Sequence, residues 1–316
     1  SAIATTSAVG AFMIPAMKDK GYDEGFSASI CAAAGTIGVI IPPSVPFVIY
    51  GVATGTSITD LFKAGIIPGL AMGVALMIVC YIMAKKYGFK GETKKFSFKA
   101  VVKSFVDAIW ALLSPVIILG GIYSGKFTPT EAAVVAVVYG IFIGFVVYRE
   151  LKIEKLWAVF RDNAAFIAGT MFIMCPAKAT GSVFAYLNIN QTIADFMFSI
   201  SSNYYVVMFM IFVIMFIVGM FIQTTPAIII LAPTLLSVVT QVGCDPIHFG
   251  IILDLALAIA FVTPPVAINL FVGSSLTGIS IDKITKAEMP LLFGLIAAFF
   301  VVAFIPAISL LLLGRI

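Results

Sequence analysis

Residues 38–51 read GVIIPPSVPFVIYG, and residues 260–273 read AFVTPPVAINLFVG. The two stretches superpose at an offset of 222 positions, Pro42-Pro43 on Pro264-Pro265 and Gly51 on Gly273. At the same offset Gly21-Tyr22-Asp23 falls on Gly243-Cys244-Asp245, and Pro68 falls on Pro290. Upstream, with a shift of three, Thr5-Thr6-Ser7-Ala8 falls on Thr224-Thr225-Pro226-Ala227. The chain therefore holds two copies of one unit: a polar tip, an apolar half-helix, a short acidic turn, a proline-broken helix, a loop and a spanning helix. Self-similarity of this kind constrains the architecture before any single element is assigned.

Composition supplies the solvent. Of 316 residues 61% are hydrophobic and 11% charged, and the mean hydropathy is +1.14, whereas soluble domains carry about 25% charged residues. That excludes a soluble globular protein and leaves an all-α polytopic membrane protein, each crossing taking about 20 apolar residues. The net charge of +4 comes from Lys and Arg gathered in a few loops, so it reports topology and gives no reason to expect nucleic acid. Cys31, Cys80, Cys175 and Cys244 show no C-x-x-C spacing and read as unpaired packing residues. The chain opens on small polar residues without a basic, cleavable leader, which predicts a start inside a structural unit whose earlier part lies upstream.

Apolar windows at 25–51, 65–84, 106–123, 130–148, 163–187, 249–272 and 290–313 read as crossings. The stretch 204–221 is apolar enough to cross, but it runs into Gln223-Thr224-Thr225-Pro226 and a second apolar stretch at 227–239 follows at once. The expectation is a re-entrant hairpin with its polar tip at mid-membrane. With that hairpin making no net crossing, 15 of the 19 basic residues fall on one side, Lys63, Lys126 and Arg315 on the other, and Lys178 within a span. The positive-inside rule makes the first side cytoplasmic, so Lys90 and Lys155 are expected inside and Asn190 outside. The two copies then point opposite ways across the membrane. The expected segments are a first-repeat transport core at 1–64, scaffold and arm helices at 65–203, the hairpin at 204–240, a second broken helix at 241–289 and a last spanning helix at 290–316.

Inverted repeats with broken helices build secondary transporters, with substrate and ions near the midplane. Irregular backbone at that depth is tolerated only where it is buried or lines an aqueous cavity. The prolines of Gly38-Val39-Ile40-Ile41-Pro42-Pro43-Ser44 remove N–H donors and free the preceding carbonyls, and with Ser or Thr hydroxyls these make an all-oxygen, net-neutral cage for a dehydrated monovalent cation. A plain proline kink is the alternative for either break alone. In the second copy Thr263 puts a hydroxyl where the first has Ile41. The tips around Ser1 to Ser7 and Gln223 to Thr225 should face their breaks, and as half-helix ends they favour an anion such as a carboxylate.

Other polar residues admit several readings. Asp254, inside an apolar run, carries a coupling proton or lines the pathway, or else is solvated near the external surface. Lys178 reads as snorkelling or facing a partner, His248 as interfacial, and the segment 149–161, with Trp157, as an amphipathic helix on the cytoplasmic face. No H-E-x-x-H, G-x-S-x-G or Walker sequence occurs, so enzyme chemistry and nucleotide-driven pumping lack their residues. A channel is the rival class; it needs no mobile inverted halves.

GTIGVIIPPSVPFVIYG, FIQTTPAIIILAPTL, and DPIHFG followed by VTPPVAINLFVGSSLTGIS together resemble the large membrane subunit of the tripartite ATP-independent periplasmic (TRAP) transporters, over essentially the whole chain. The resemblance implies a sodium-driven bacterial inner-membrane importer of the ion-transporter superfamily, moving as an elevator. It also implies a small membrane subunit, separate or fused, and a soluble periplasmic substrate-binding protein as partners, with organic acids as substrates, C4-dicarboxylates or sialic acid; overall likeness leans to sialic acid. By similarity one Na+ site falls on Ser1, Gly38, Ile41 and Pro43, and a second on Thr224, Thr225, Thr263 and Pro265. Ser44 resembles a substrate contact, and Thr5, Gln223, Asn269 and Ser274 complete the candidate substrate set. Many relatives carry an acid where this chain has Gln223. A proton-coupled carboxylate transporter of the same superfamily is the alternative.

Overall fold

The computed structural model describes residues 1–89 and 97–315, and among them every regular element is helical. In chain order the helices are α1 (Ala2–Asp19), α2 (Glu24–Thr36), α3 (Val45–Thr54), α4 (Ile58–Tyr87), α5 (Phe98–Asp107), α6 (Ile109–Tyr123), α7 (Pro129–Phe142) and α8 (Ile153–Tyr186). They continue with α9 (Ile189–Ile200), α10 (Tyr204–Phe221), α11 (Thr224–Gln241), α12 (Pro246–Ala260), α13 (Ile268–Thr277), α14 (Ile281–Phe304) and the short α15 (Ala307–Leu310). Six of the described helices are long and apolar enough to cross a bilayer alone. The chain is an all-α polytopic membrane protein.

The chain forms two compact units, residues 1–91 with 174–316, and residues 92–173. In the smaller unit α5 and α6 meet at 65°, and α7 starts on a capping box in which Thr128 and Glu131 bond each other's backbone N–H. Tyr139 on α7 donates to the Trp110 carbonyl of α6 at 2.7 Å. The expected amphipathic segment at 149–161 is not separate: from Ile153 it is the opening of the long α8.

In the larger unit, packing at the helix ends orients the repeat. Near the start of α2, Gly25 lies against Lys283 at the start of α14, and Tyr22 and Phe26 stack on Phe89, just after α4. At the start of α12, Asp245 and Asp60 flank Arg315, and His248 reaches Ala303 at the end of α14. Because α4 is 30 residues long, about 45 Å at 1.5 Å per residue, those are opposite ends of the unit. The two broken helices thus start from opposite faces. Lys18, Lys85, Lys86, Lys283 and Lys286 share the first face, while Lys63 and Arg315 share the second.

Re-entrance follows from the same contacts. The Tyr204 hydroxyl at the start of α10 lies 4.0 Å from Cys244 Sγ beyond the end of α11, and Tyr205 packs edge-on against Phe304. The hairpin α10–α11 therefore begins and ends on the Arg315 face. Between α8 and the hairpin, where Asn190 is expected outside, the chain forms the helix α9, and α14 begins at Ile281, ahead of the apolar window at 290.

The copies are interleaved. α1, from the first copy, packs on α13 of the second, and α11, from the second, packs on α3 of the first. α12 runs through the centre with all of Ile247 to Ala260 buried.

Candidate functional site

α2 winds down at Thr36 into a single turn of 3-10 helix (Ile37–Val39) before the proline pair and the restart of α3. Prolines without N–H groups cannot continue the helical ladder, and both proline pairs are joined by cis bonds. Ser44 restarts the helix: its Oγ accepts from the Phe47 N–H at 3.3 Å and donates to the Val39 carbonyl. Ser44 is 2% exposed and its hydroxyl is already occupied on both sides, so its place is inside the break.

The first tip meets this break closely. The Ser1 nitrogen donates to the Gly38 carbonyl at 2.8 Å, while the Ser1 hydroxyl caps α1 at the Ala4 N–H. Any Cβ at position 38 would overlap the Thr5 hydroxyl; glycine is what lets α1 come down onto the turn. Ser1, Thr5 and Gly38 are therefore brought together, with Ile41 and Pro43 exposed at the rim. One residue on, the Thr6 hydroxyl is fully buried against Gly35 without a hydrogen-bond partner among the described residues.

The second tip and break enclose a cavity of about 200 Å³ lined by Gly219, Phe221 to Gln223, Ala260, Phe261 and Val266 to Ile268. Gln223 begins α11 without capping it through its side chain, so that helix offers the free N–H groups and positive dipole end that attract anions. Thr224 has a buried hydroxyl with no partner among the described residues, and Thr225 is half-buried. Thr263 donates its hydroxyl to the Ile259 carbonyl at 3.0 Å, leaving oxygen lone pairs, and Pro265 is exposed beside it.

The remaining substrate candidates lie elsewhere. Asn269 is fully buried; its N–H bonds the Phe261 carbonyl across the break at 3.0 Å and its side-chain amide donates to the Ala32 carbonyl of the other copy at 3.0 Å. Ser274 sits at the far end of α13 and donates to the Ile279 carbonyl at 2.7 Å. Neither points into the cavity at the second tip. Lys178 is exposed on α8, Lys90 lies outside the described residues, and Arg315 is engaged by Asp60 at 3.4 Å and Asp245 at 3.7 Å.

His248 differs from its interfacial expectation. It is fully buried and clips α12 to the chain's end through Ser309 Oγ at 2.6 Å and the Ala303 carbonyl at 3.2 Å. Asp254 is 1% exposed, which removes the reading that it is solvated at the external surface. Glu288, which sequence reasoning passed over, is buried on α14; an acid within an apolar helix was its available signal. Among the described residues no cluster of three or more His, Cys, Asp or Glu can hold a metal. The arrangement is suited to hard, weakly bound monovalent cations on carbonyls and hydroxyls, with an anion at a helix N-terminus.

Comparison with known proteins agrees with this architecture. Residues 1–308 match the family model described as the tripartite ATP-independent periplasmic transporter, DctM component. The isethionate TRAP transporter permease protein DctMQ of Oleidesulfovibrio alaskensis is 43% identical over 98% of the chain, which spans 49% of that protein. The C4-dicarboxylate large permease DctM of Pseudomonas aeruginosa is 39% identical over 98% of the chain and 72% of its own length. The sialic acid large permease SiaM of Vibrio cholerae is 38% identical over 99% of the chain and 73% of its own length. Two crossed helix breaks, each met by its own tip, and a family match running from residue 1 to residue 308 lead to one assignment: the chain belongs to the DctM family of TRAP transporter large membrane subunits and is not an enzyme.

Proposed function

We propose that the chain is the translocating part of a sodium-coupled importer of a small organic anion in a bacterial inner membrane. The observation that carries this reading is the pair of tip-and-break sites in opposed copies, Ser1 and Thr5 on Gly38, and Gln223 sharing a cavity with Phe261 and Val266 to Ile268 of the second break. Carbonyls and hydroxyls without fixed positive charge supply cation sites, and the uncapped start of α11 supplies the anion end. Sodium takes Ser1, Gly38, Ile41 and Pro43 at one site and Thr224, Thr225, Thr263 and Pro265 at the other. One half of the molecule moves as an elevator against the other.

Substrate identity stays at the level of an organic anion. The relatives are named for isethionate, a C4-dicarboxylate and sialic acid at identities of 43%, 39% and 38%, so no feature of the chain singles out sialic acid. A sulfonate belongs beside the carboxylates in any screen. A small membrane subunit and a periplasmic binding protein complete the system; the fused DctMQ relative supports the first partner by its length. The test is uptake into reconstituted vesicles with the binding protein present, comparing isethionate, succinate and sialic acid. Uptake that stops when external sodium is replaced by potassium at constant pH is expected. Uptake driven by a pH gradient without sodium favours the proton-coupled alternative, for which the buried Asp254 is the supporting residue.

A further inference from the structure

The helix α5 is 10 residues long, and every residue from Phe98 to Asp107 is exposed. A helix that short with nothing packed on it is marginal in water, so it needs a surface to lie on. Its sequence, FKAVVKSFVD, puts apolar side chains at Phe98, Val101, Val102, Phe105 and Val106, the spacing of one helical face. At about 100° per residue these fill less than half of the circumference, and the two rings on that stripe, Phe98 and Phe105, are 72% and 57% exposed. Lys99 borders the stripe next to Val106 and Lys103 follows one turn on, whereas Ala100, Ser104 and Asp107 occupy the opposite side. The helix start is fixed locally, with the Ser97 hydroxyl accepting from the Ala100 N–H at 3.4 Å.

The neighbouring elements place this helix. α4 ends at Lys85 and Lys86 on the Lys-rich face, and residues 88–97 carry Lys90, Lys94 and Lys95 against Glu92 with no apolar run able to cross. α5 therefore starts on that same face. α6 follows after Ala108 alone, is apolar from Ile109 onward and meets α5 at 65°, so the bend turns α5 away from the spanning direction and toward the plane of the membrane. The exposed stripe is thus continuous along the chain with the apolar, exposed Leu112 and Val116 of α6, and its basic border faces the leaflet in which anionic phospholipids attract lysine. Lysines at the edge of an apolar stripe can lay their stems along it and raise their ammonium groups to phosphate. We infer that α5 is an interfacial anchor that binds the anionic cytoplasmic leaflet, with its Phe and Val stripe at the acyl–headgroup boundary and Lys99 and Lys103 on phospholipid phosphates. Both halves of that contact are needed for firm attachment, since binding of such a helix grows with buried apolar area and with attraction to anionic lipid together. The anchor sets the depth of the smaller unit in the bilayer and is independent of which ion drives transport.

The experiment uses the permease assembled with its small subunit, carrying Cys175→Ser and a spin label on either Val102→Cys or Ser104→Cys, in vesicles of phosphatidylcholine and phosphatidylglycerol. Lipid-dissolved oxygen should relax the label at 102 several-fold more than a water-soluble nickel complex does, and the order should reverse at 104. Equal access of the nickel complex to both positions overturns the inference. A label at 102 shielded from both reagents also overturns it, because a protein then covers the stripe. In a second measurement a fluorophore on Val102→Cys reports quenching by brominated phosphatidylglycerol or brominated phosphatidylcholine at equal mole fraction. The brominated phosphatidylglycerol should quench several-fold more strongly at low salt, and Lys99→Gln with Lys103→Gln should remove that preference while the label keeps its depth. Equal quenching by the two lipids in the parent, or a preference unchanged in the double variant, overturns the headgroup contact; where the double variant fails to assemble, the parent's lipid preference and its loss at high salt decide.

Discussion

Ser44 and Thr263 show how differently two hydroxyls beside equivalent prolines are used. Ser44 is consumed as the cap of α3, whereas Thr263 keeps lone pairs free after donating to Ile259. Thr263→Ala should therefore weaken sodium-dependent transport by about 1–3 kcal/mol, the cost of losing a ligand in a dry site, read as a rise in the sodium concentration for half-maximal uptake. Thr225→Ala should act in the same direction. Ser44→Ala should lower both transport and thermal stability, because it uncaps a helix at about 0.5–2 kcal/mol, while docking of the binding protein persists. A Ser44→Ala protein with unchanged melting temperature and lost transport would instead mark Ser44 as a direct substrate contact. Substrate contact at Thr5 and Gln223 suits the geometry of the tips better than at Asn269, which is spent on joining the copies.

At the scale of the element, glycine decides which helices can touch. A Cβ at Gly65 on α4 would stand 2.5 Å from the Phe47 ring and 2.9 Å from the Ile40 carbonyl, so α4 presses directly on the first break. Gly219 plays the same part between α10 and α12, where a Cβ would meet Ala260 at 2.7 Å. Overpacking such contacts costs about 1–3 kcal/mol. Gly65→Ala should lower the melting temperature of the purified protein more than Gly120→Ala, where open space surrounds the position; equal effects would refute close packing at the break. Ala267 begins α13 with φ +43°, a left-handed conformation that favours glycine, and Ala267→Gly should be neutral or slightly stabilising in the same assay.

For the whole molecule, the arrangement of charge predicts orientation. Lys85, Lys86 and Lys283 share one face and Lys63 and Arg315 the other, which places the first face in the cytoplasm. In intact cells, a membrane-impermeant maleimide should label a cysteine at position 203, beside the start of α10, and spare one at position 86. The native Cys244 should stay silent, because burial pushes its thiol up to about 12. Strong labelling at 86 would invert the topology. Neither tip-and-break site contains an Arg, and Arg315 is committed to Asp60 and Asp245. An organic anion held by hydroxyls and N–H groups without a guanidinium fork binds weakly. Membrane subunits alone, given free isethionate or succinate and a sodium gradient, should show little uptake, and full-rate uptake would show that the chain carries its own tight selectivity.

The sequence by itself determined the solvent, the fold class, the repeat and the two breaks, because these depend on local chemistry: apolar run length, prolines without N–H groups, and one pattern written twice. It also carried the hairpin, since Gln223-Thr224-Thr225 interrupts an apolar stretch too long for one crossing and too short for two. What only the tertiary structure decided is which partner each buried polar atom has. That Ser44 caps a helix, that Asn269 binds across to Ala32, that His248 clips Ser309, and that Asp254 has no hydrogen-bond partner among the described residues depend on residues between 5 and 237 positions away or on their absence. Helix periodicity extends over a few residues, whereas these contacts arise where two inverted copies interleave, and no local pattern encodes that meeting.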